Sequence, residues 1–221
     1  MIGVHHLENS RSQRVLWLLE ELELDYEIVG YRRDPQTMLA PDSLKQVHPL
    51  GKSPVLVDDQ VSVAESGAII DYLIEAYDHQ RRLVPPAGSA EYRHYRYWLH
   101  YAEGSAMPLL VMSLVFTRLG KPPVPALMRP FGRALANGVK AKYLEPQMRR
   151  HLDFWESQLA ASRWFAGEQF TAADIQMSFP LLAREARGGL GERPNLLACL
   201  ARMRERPAYQ RAIEKGGEFS M

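Results

Sequence analysis

The sequence predicts an α/β domain followed by an all-α domain, on three observations. Strand-like runs occur only in the first third of its 221 residues; a polar, breaker-rich segment follows; beyond it, apolar residues recur at helical spacing. The expected boundaries are 1–79 for the first domain, 80–89 for a linker and 90–221 for the helical domain, and each domain is near the minimum for its own core.

Ile2 to Leu7 reads as a first strand. Ser10, Arg11 and Ser12 then precede Val15, Leu18, Leu19 and Leu22, whose spacing marks one face of a helix. Tyr26 to Tyr31 alternates as a second strand. Val55-Leu56-Val57 and Val61-Ser62-Val63 flank Asp58-Asp59-Gln60 as a hairpin, and Ser66 starts a helix carried by Ile69, Ile70, Leu73, Ala76 and Tyr77. The order β-α-β then β-β-α gives a small mixed sheet with helices. In the linker, Arg81, Arg82, Pro85, Pro86 and Gly88 oppose regular structure.

In the helical domain, Tyr95, Trp98, Leu99 and Ala102 mark one apolar face, and Leu144, Met148, Leu152, Trp155 and Leu159 another. Lys121-Pro122-Pro123-Val124-Pro125 between them has to be a turn. The best-specified helix start is Phe170-Thr171-Ala172-Ala173-Asp174-Ile175. Thr171 at the N-cap and Asp174 at N3 form a capping box, with Phe170 and Ile175 as a staple, which makes Asp174 a buried structural residue. Arg202 to Arg206 reads as a solvated charge run, and the residues after Gly216-Gly217 are expected to fray.

Composition narrows the function by exclusion. A formal net charge of +1, with acidic and basic residues interspersed, gives no electrostatic footprint for nucleic acid or an anionic membrane surface. Cys199 is the only cysteine, so there is no intrachain disulfide and no Cys-x-x-Cys redox pair. The N-terminus has no apolar signal-peptide run, and the most apolar stretch, Ala106 to Phe116, is too short to span a bilayer. A soluble cytoplasmic protein is expected. His5 and His6, adjacent in a strand, point to opposite faces and cannot share one metal.

Chemistry concentrates in two places. Ser53-Pro54 is an extended X-Pro step at which a cis bond is accessible, and it can leave the Ser53 backbone N–H and C=O to pair with a peptide-like ligand. Glu65-Ser66-Gly67 opens a helix, where N–H groups and a hydroxyl bind a carboxylate while Glu65 faces an ammonium. A ligand with an amino acid end and an extended backbone suits both.

Ser10 to Leu22, His48 to Leu56, Ala64 to Leu73 and Phe170 to Ile175 together resemble the glutathione S-transferase family, and His100-Tyr101-Ala102-Glu103-Gly104-Ser105 is similar to a segment of its fungal and bacterial branch. The resemblance covers essentially the whole chain. It implies a thioredoxin-like N-terminal domain followed by a C-terminal helical bundle. It further implies that Ser53 and Pro54 hold the cysteinyl backbone of glutathione, that Glu65 and Ser66 hold its γ-glutamyl end, and that Lys52 reaches a carboxylate. Glutathione is then a co-substrate, with no metal or bound organic cofactor, and its thiolate attacks an apolar electrophile or reduces a hydroperoxide. Tyr101, Met112 and Phe116 are candidates to line the electrophile pocket.

Neither tyrosine nor cysteine lies between Leu7 and the first helix, which leaves a serine-type or asparagine-type thiol activator. One register places the role on Ser10, the preferred candidate because a hydroxyl at a helix start is the usual donor; the other places it on Asn9, whose amide could also donate. The resemblance also implies a homodimer, with Asp71, Glu75, Tyr92, Arg93 and Arg96 suited to its polar rim. The alternative is a non-catalytic relative acting as a binding or regulatory module.

Overall fold

The structure, a computed structural model, describes residues 1–35 and 37–219. The first domain comprises β1 (Ile2–Leu7), α1 (Ser12–Glu21), β2 (Tyr26–Tyr31), β3 (Val55–Asp58), β4 (Val61–Ala64) and α2 (Ser66–Tyr77). Its sheet has the order β2-β1-β3-β4, with β1 parallel to β2 and antiparallel to β3. A parallel pair needs a crossover, and α1 supplies it. Val4, paired with Ile28 on one side and Leu56 on the other, is fully buried at the centre.

The helical domain comprises α3 (Ala90–Tyr101), α4 (Met107–Arg118), α5 (Arg129–Val139), α6 (Glu145–Ala161), α7 (Ala172–Gly188), α8 (Pro194–Arg204) and α9 (Pro207–Gly216). A π-turn at Ala102–Ala106 joins α3 to α4, and another at Lys140–Leu144 joins α5 to α6. Residues 90–118 therefore run as one helix of 29 residues, long and apolar enough to cross a membrane by length and composition. Tyr95, Trp98, Leu99, Ala102 and Ala106 of that helix are nevertheless buried in the protein core. α4 and α5 form a hairpin that closes on Gly132, where a Cβ would lie 2.1 Å from the Leu119 carbonyl oxygen.

The two domains share one core. Trp17 of α1 sits between Phe170 and Tyr209, with ring centroids at 5.5 and 5.0 Å. At the start of α7, Asp174 accepts the N–H of Phe165 (2.8 Å) and of Thr171 (2.9 Å), and the capping box is complete. Burial pushes the Asp174 carboxyl up to about 6. Cys199 is fully buried in the same core.

Two expectations change. The run from Arg202 to Arg206 is solvated only in part: Arg204 and Glu205 are exposed, with Arg204 paired to Glu185, whereas Arg202 lies over Trp164 and Arg206 lies 3.7 Å from the Phe170 ring centroid and pairs with Glu21 of α1. The tail does not fray immediately after Gly217, because Phe219 packs edge-on against Phe179 at 5.1 Å. Ser220 and Met221 lie outside the described residues.

Candidate active site

Ser53 stands where β3 leaves β1. The last paired residues are His5 and Val55; before them the Ser53–Pro54 peptide is cis. The Ser53 side chain continues the ladder in place of its backbone, donating from Oγ to the His5 carbonyl (2.7 Å) and accepting the Leu7 N–H (3.1 Å). The Ser53 N–H and C=O make no backbone hydrogen bond among the described residues, so a short strand edge is open at this point.

α2 begins just beyond the β3–β4 hairpin. Glu65, at its N-cap, has φ 71°, a conformation that costs a non-glycine residue on the order of 1–3 kcal/mol and concentrates at functional sites. The end has no side-chain cap and no acidic residue in its first turn, so its N–H groups remain available to an anion. Ser66 Oγ accepts from Arg14 Nη2 at 3.0 Å, which leaves the single Ser66 hydroxyl proton to be donated elsewhere.

Arg14 is 1% exposed and ties three elements together. Its Nη1 donates to the Gln176 carbonyl (2.7 Å) and its Nη2 to Glu103 Oε1 (2.5 Å), while Glu103 Oε2 pairs with Arg11 Nε at 2.9 Å. Glu103 is delivered by the π-turn between α3 and α4, a distortion that recurs at functional sites. Sequence reasoning missed both residues. The available signal was a lone arginine beside the apolar run Val15 to Leu19, a charge that burial requires to be paired.

Lys52, Ser53, Pro54, Glu65, Ser66, Arg11 and Glu103 line one cavity of about 210 Å³. A second, of about 420 Å³, shares Arg11, Leu50, Lys52 and Ser53 with it. Met107, Val111, Leu114 and Phe179 give the second cavity an apolar wall. Arg33, Lys45 and Arg187 add cations, against the single carboxylate of Asp42, itself paired with Lys45 at 2.6 Å. The resulting positive potential favours an anion, a thiolate included.

Asn9 and Ser10 both line this second cavity but are held differently. Asn9 has φ 51°, a left-handed conformation that asparagine tolerates, and its carbonyl accepts Arg33 Nη2 at 3.2 Å. Ser10 is 7% exposed, and its proton can be traced. Burial holds His6 below its ordinary value, so the ring is neutral at pH 7. His6 Nε2 meets the Gly216 carbonyl at 2.9 Å, which can only accept, so Nδ1 must accept from Ser12 Oγ at 2.8 Å. Ser12 has no second proton to give. Ser10 Oγ therefore donates to Ser12 Oγ (2.7 Å) while accepting the Ser12 N–H (3.2 Å), and its proton is committed inward.

Tyr101, Met112 and Phe116 line neither cavity. The Tyr101 hydroxyl bonds to His151 Nδ1 and accepts from Trp155 Nε1 (3.0 Å), and burial pushes its pKa up to about 12. Met112 and Phe116 pack, partly buried, against the core. Counted as one uninterrupted α-helix, these three residues share a face; the π-turn at Ala102–Ala106 resets the phase and turns Met107, Val111 and Leu114 to the cavity instead.

Such a fold and site define a two-domain, thioredoxin-like protein with an open strand edge and an uncapped helix start facing one polar cavity. Residues 1–75 match the family model "Glutathione S-transferase, N-terminal domain", and residues 110–207 match "Glutathione S-transferase, C-terminal domain". The chain is 41% identical to glutathione S-transferase 3 of Schizosaccharomyces pombe, over 97% of its own length and 88% of that protein's. It is 35% identical to glutathione S-transferase 1 of Saccharomyces cerevisiae, over 82% and 80%. Among solved structures, a glutathione S-transferase from Actinobacillus pleuropneumoniae aligns with a TM-score of 0.80 at 34% identity, covering 98% of this chain and 93% of that one. The chain belongs to the glutathione S-transferase family, as a glutathione transferase.

Proposed function

We propose that this transferase holds glutathione across the polar cavity and presents its sulfur, as a thiolate, to an apolar electrophile in the adjoining one. The observation that carries the reading is the junction of a 210 Å³ polar cavity with a 420 Å³ cavity that has an apolar wall, through the shared residues Arg11, Leu50, Lys52 and Ser53. The Ser53 N–H and C=O pair with the cysteinyl backbone beside Pro54. The Ser66 hydroxyl and the α2 N–H groups take the γ-glutamyl carboxylate, and Glu65 faces its ammonium. Lys52 meets the glycyl carboxylate.

Asn9 is the side chain we assign to the sulfur, because the Ser10 proton is committed to Ser12. A free thiol titrates near ~8.5, and lowering it by about two units corresponds to roughly 2.7 kcal/mol of preference for the thiolate. One amide donor within the positive potential around Arg33 supplies a preference of that order. The thiolate then forms a C–S bond with the electrophile, expelling a leaving group or adding to a double bond. Glutathione is consumed as a substrate. Met107, Val111, Leu114 and Phe179 select for apolar co-substrates. The same reading makes the protein a homodimer through α2 and α3, where Asp71, Glu75, Tyr92 and Arg96 line a groove.

Thiolate absorbance of the glutathione complex, followed against pH, tests the assignment. Asn9→Ala is expected to raise the apparent pKa of the bound thiol with affinity little changed, and Ser10→Ala to leave it in place. The reverse outcome assigns the role to Ser10. No shift in either variant moves it to backbone N–H groups, and a complex that conjugates no aromatic halide marks the non-catalytic alternative.

A further inference from the structure

Exposed apolar side chains concentrate on the hairpin of α4 and α5. Leu127 is 91% exposed, Phe131 61%, Val115 58%, and Met128 and Leu135 51% each. Met128, Phe131 and Leu135 follow the i, i+3, i+7 spacing of one helix face, whereas α5 buries only Ala136. The helix is thus amphipathic in the wrong sense for a core element over most of its length: Phe131 and Leu135 face out while Ala136 faces in, and among its larger apolar residues Val139, at its end, packs against the core. In the long helix that leads into the hairpin, only 33% of the most apolar window is buried.

Charge follows the same segment. Between Glu103 and Glu145 there is no acidic residue, and there are six cations: Arg118, Lys121, Arg129, Arg133, Lys140 and Lys142. None of them enters an ion pair among the described residues. Their local partners are neutral, as where Arg129 Nε donates to the Val124 carbonyl (2.8 Å) and Lys140 Nζ to Thr117 Oγ1 (2.6 Å). The whole-chain charge of +1 conceals this local excess, because the compensating carboxylates lie elsewhere.

We propose that the tip of this hairpin docks peripherally on an anionic phospholipid bilayer. Leu127, Met128 and Phe131 enter the boundary between headgroups and acyl chains, and the surrounding cations meet lipid phosphates and carboxylates. A second copy of the chain fits less well, since a two-fold contact would set one uncompensated cationic face against another. Nucleic acid would give the protruding leucine, methionine and phenylalanine nothing to bury against. Val111 and Leu114, on the same hairpin, line the apolar cavity. Resting on the function proposed above, docking therefore brings the electrophile pocket beside the bilayer and favours membrane-partitioned electrophiles.

The test needs no turnover, so its failure is distinct from failure of the catalytic reading. The full-length protein is sedimented with extruded vesicles of phosphatidylcholine, alone or mixed with phosphatidylserine. Binding is expected to the mixed vesicles and only weakly to phosphatidylcholine alone. It should fall steeply as salt rises from about 0.1 M to about 1 M and the screening length shrinks from roughly 10 to 3 Å. Lys121→Ala and Arg133→Ala should each weaken it about fivefold. The double variant Leu127→Glu/Phe131→Glu should abolish it while binding immobilised glutathione like wild type, which shows that the variant is folded. Absence of binding to mixed vesicles, equal binding to both vesicle types, or full binding by the double variant overturns the proposal. So does a lower light-scattering mass for the double variant, which would assign this face to a second copy.

Discussion

The N-terminus of α7 is closed by its own residues, and that of α2 is not. At α7, Thr171 and Asp174 satisfy the first turn reciprocally, and the carboxylate also takes the N–H of Phe165. At α2 there is no cap, Glu65 is held at φ 71°, and the Ser66 hydroxyl is oriented by an arginine from another helix. A helix end that its own sequence satisfies is architecture. One whose donors are left outward, beside a residue held in an unfavourable conformation, is a place for a ligand.

The largest effect expected from breaking this contrast is at the closed end. Asp174→Ala strands the buried N–H groups of Phe165 and Thr171, at about 1–3 kcal/mol each, so urea unfolding should show a loss of roughly 3 kcal/mol or more. The folded fraction should still bind glutathione normally; unchanged stability with lost binding would erase the distinction. At the open end the pattern inverts. Glu65→Ala and Ser66→Ala should each lower glutathione affinity about 10- to 100-fold by calorimetry, as expected for charge-assisted contacts, with stability moving by less than about 1 kcal/mol in Glu65→Ala and falling by about 1–3 kcal/mol in Ser66→Ala, which strands a buried Arg14 N–H. Glu65→Gly sharpens the point: relieving the positive φ should raise stability by about 1 kcal/mol while affinity still falls.

The smallest effects are in the pH dependence, where two buried groups act with opposite sign. His6 is held below its ordinary 6.5, so an unfolded chain takes up that proton first, and stability present above about 6.5 is lost as the pH falls beneath it. Asp174 is pushed up to about 6, so there the folded chain takes the proton first. Its contribution to stability therefore grows as the pH falls from about 6 toward the ordinary carboxyl range near ~4. Urea melts across this range should lack the first slope in His6→Gln and the second in Asp174→Ala. Identical profiles for wild type and both variants would contradict both assignments.

What the sequence shows follows the range of each interaction. β1 and β2 occupy the spans their alternation predicts, Ile2–Leu7 and Tyr26–Tyr31, and the α7 capping box is legible because its partners lie within one turn. Arg14 is a different case, because its meaning depends on Glu103, 89 residues further on. The choice between Ser10 and Asn9 could not be settled by spacing either, since the Ser10 proton depends on a chain through His6 to Gly216, 210 residues away from it. No residue type announces the π-turn at Ala102–Ala106, so the helix phase beyond it, and with it the apolar wall, could not be counted from Tyr101.

Among the described residues α9 stands furthest from α1 along the chain, yet it covers it. Tyr209 lies edge-on to Trp17, Gln13 and His6 donate to the carbonyls of Ala212 and Gly216, and a Cβ on Gly216 would stand 2.4 Å from Leu16. The opening third of the chain carries the strand edge and the α2 start, but it does not enclose its own interior. The strand edge and the α2 start thus rest on a layer that α9 completes, and a chain without that helix leaves one face of α1 bare.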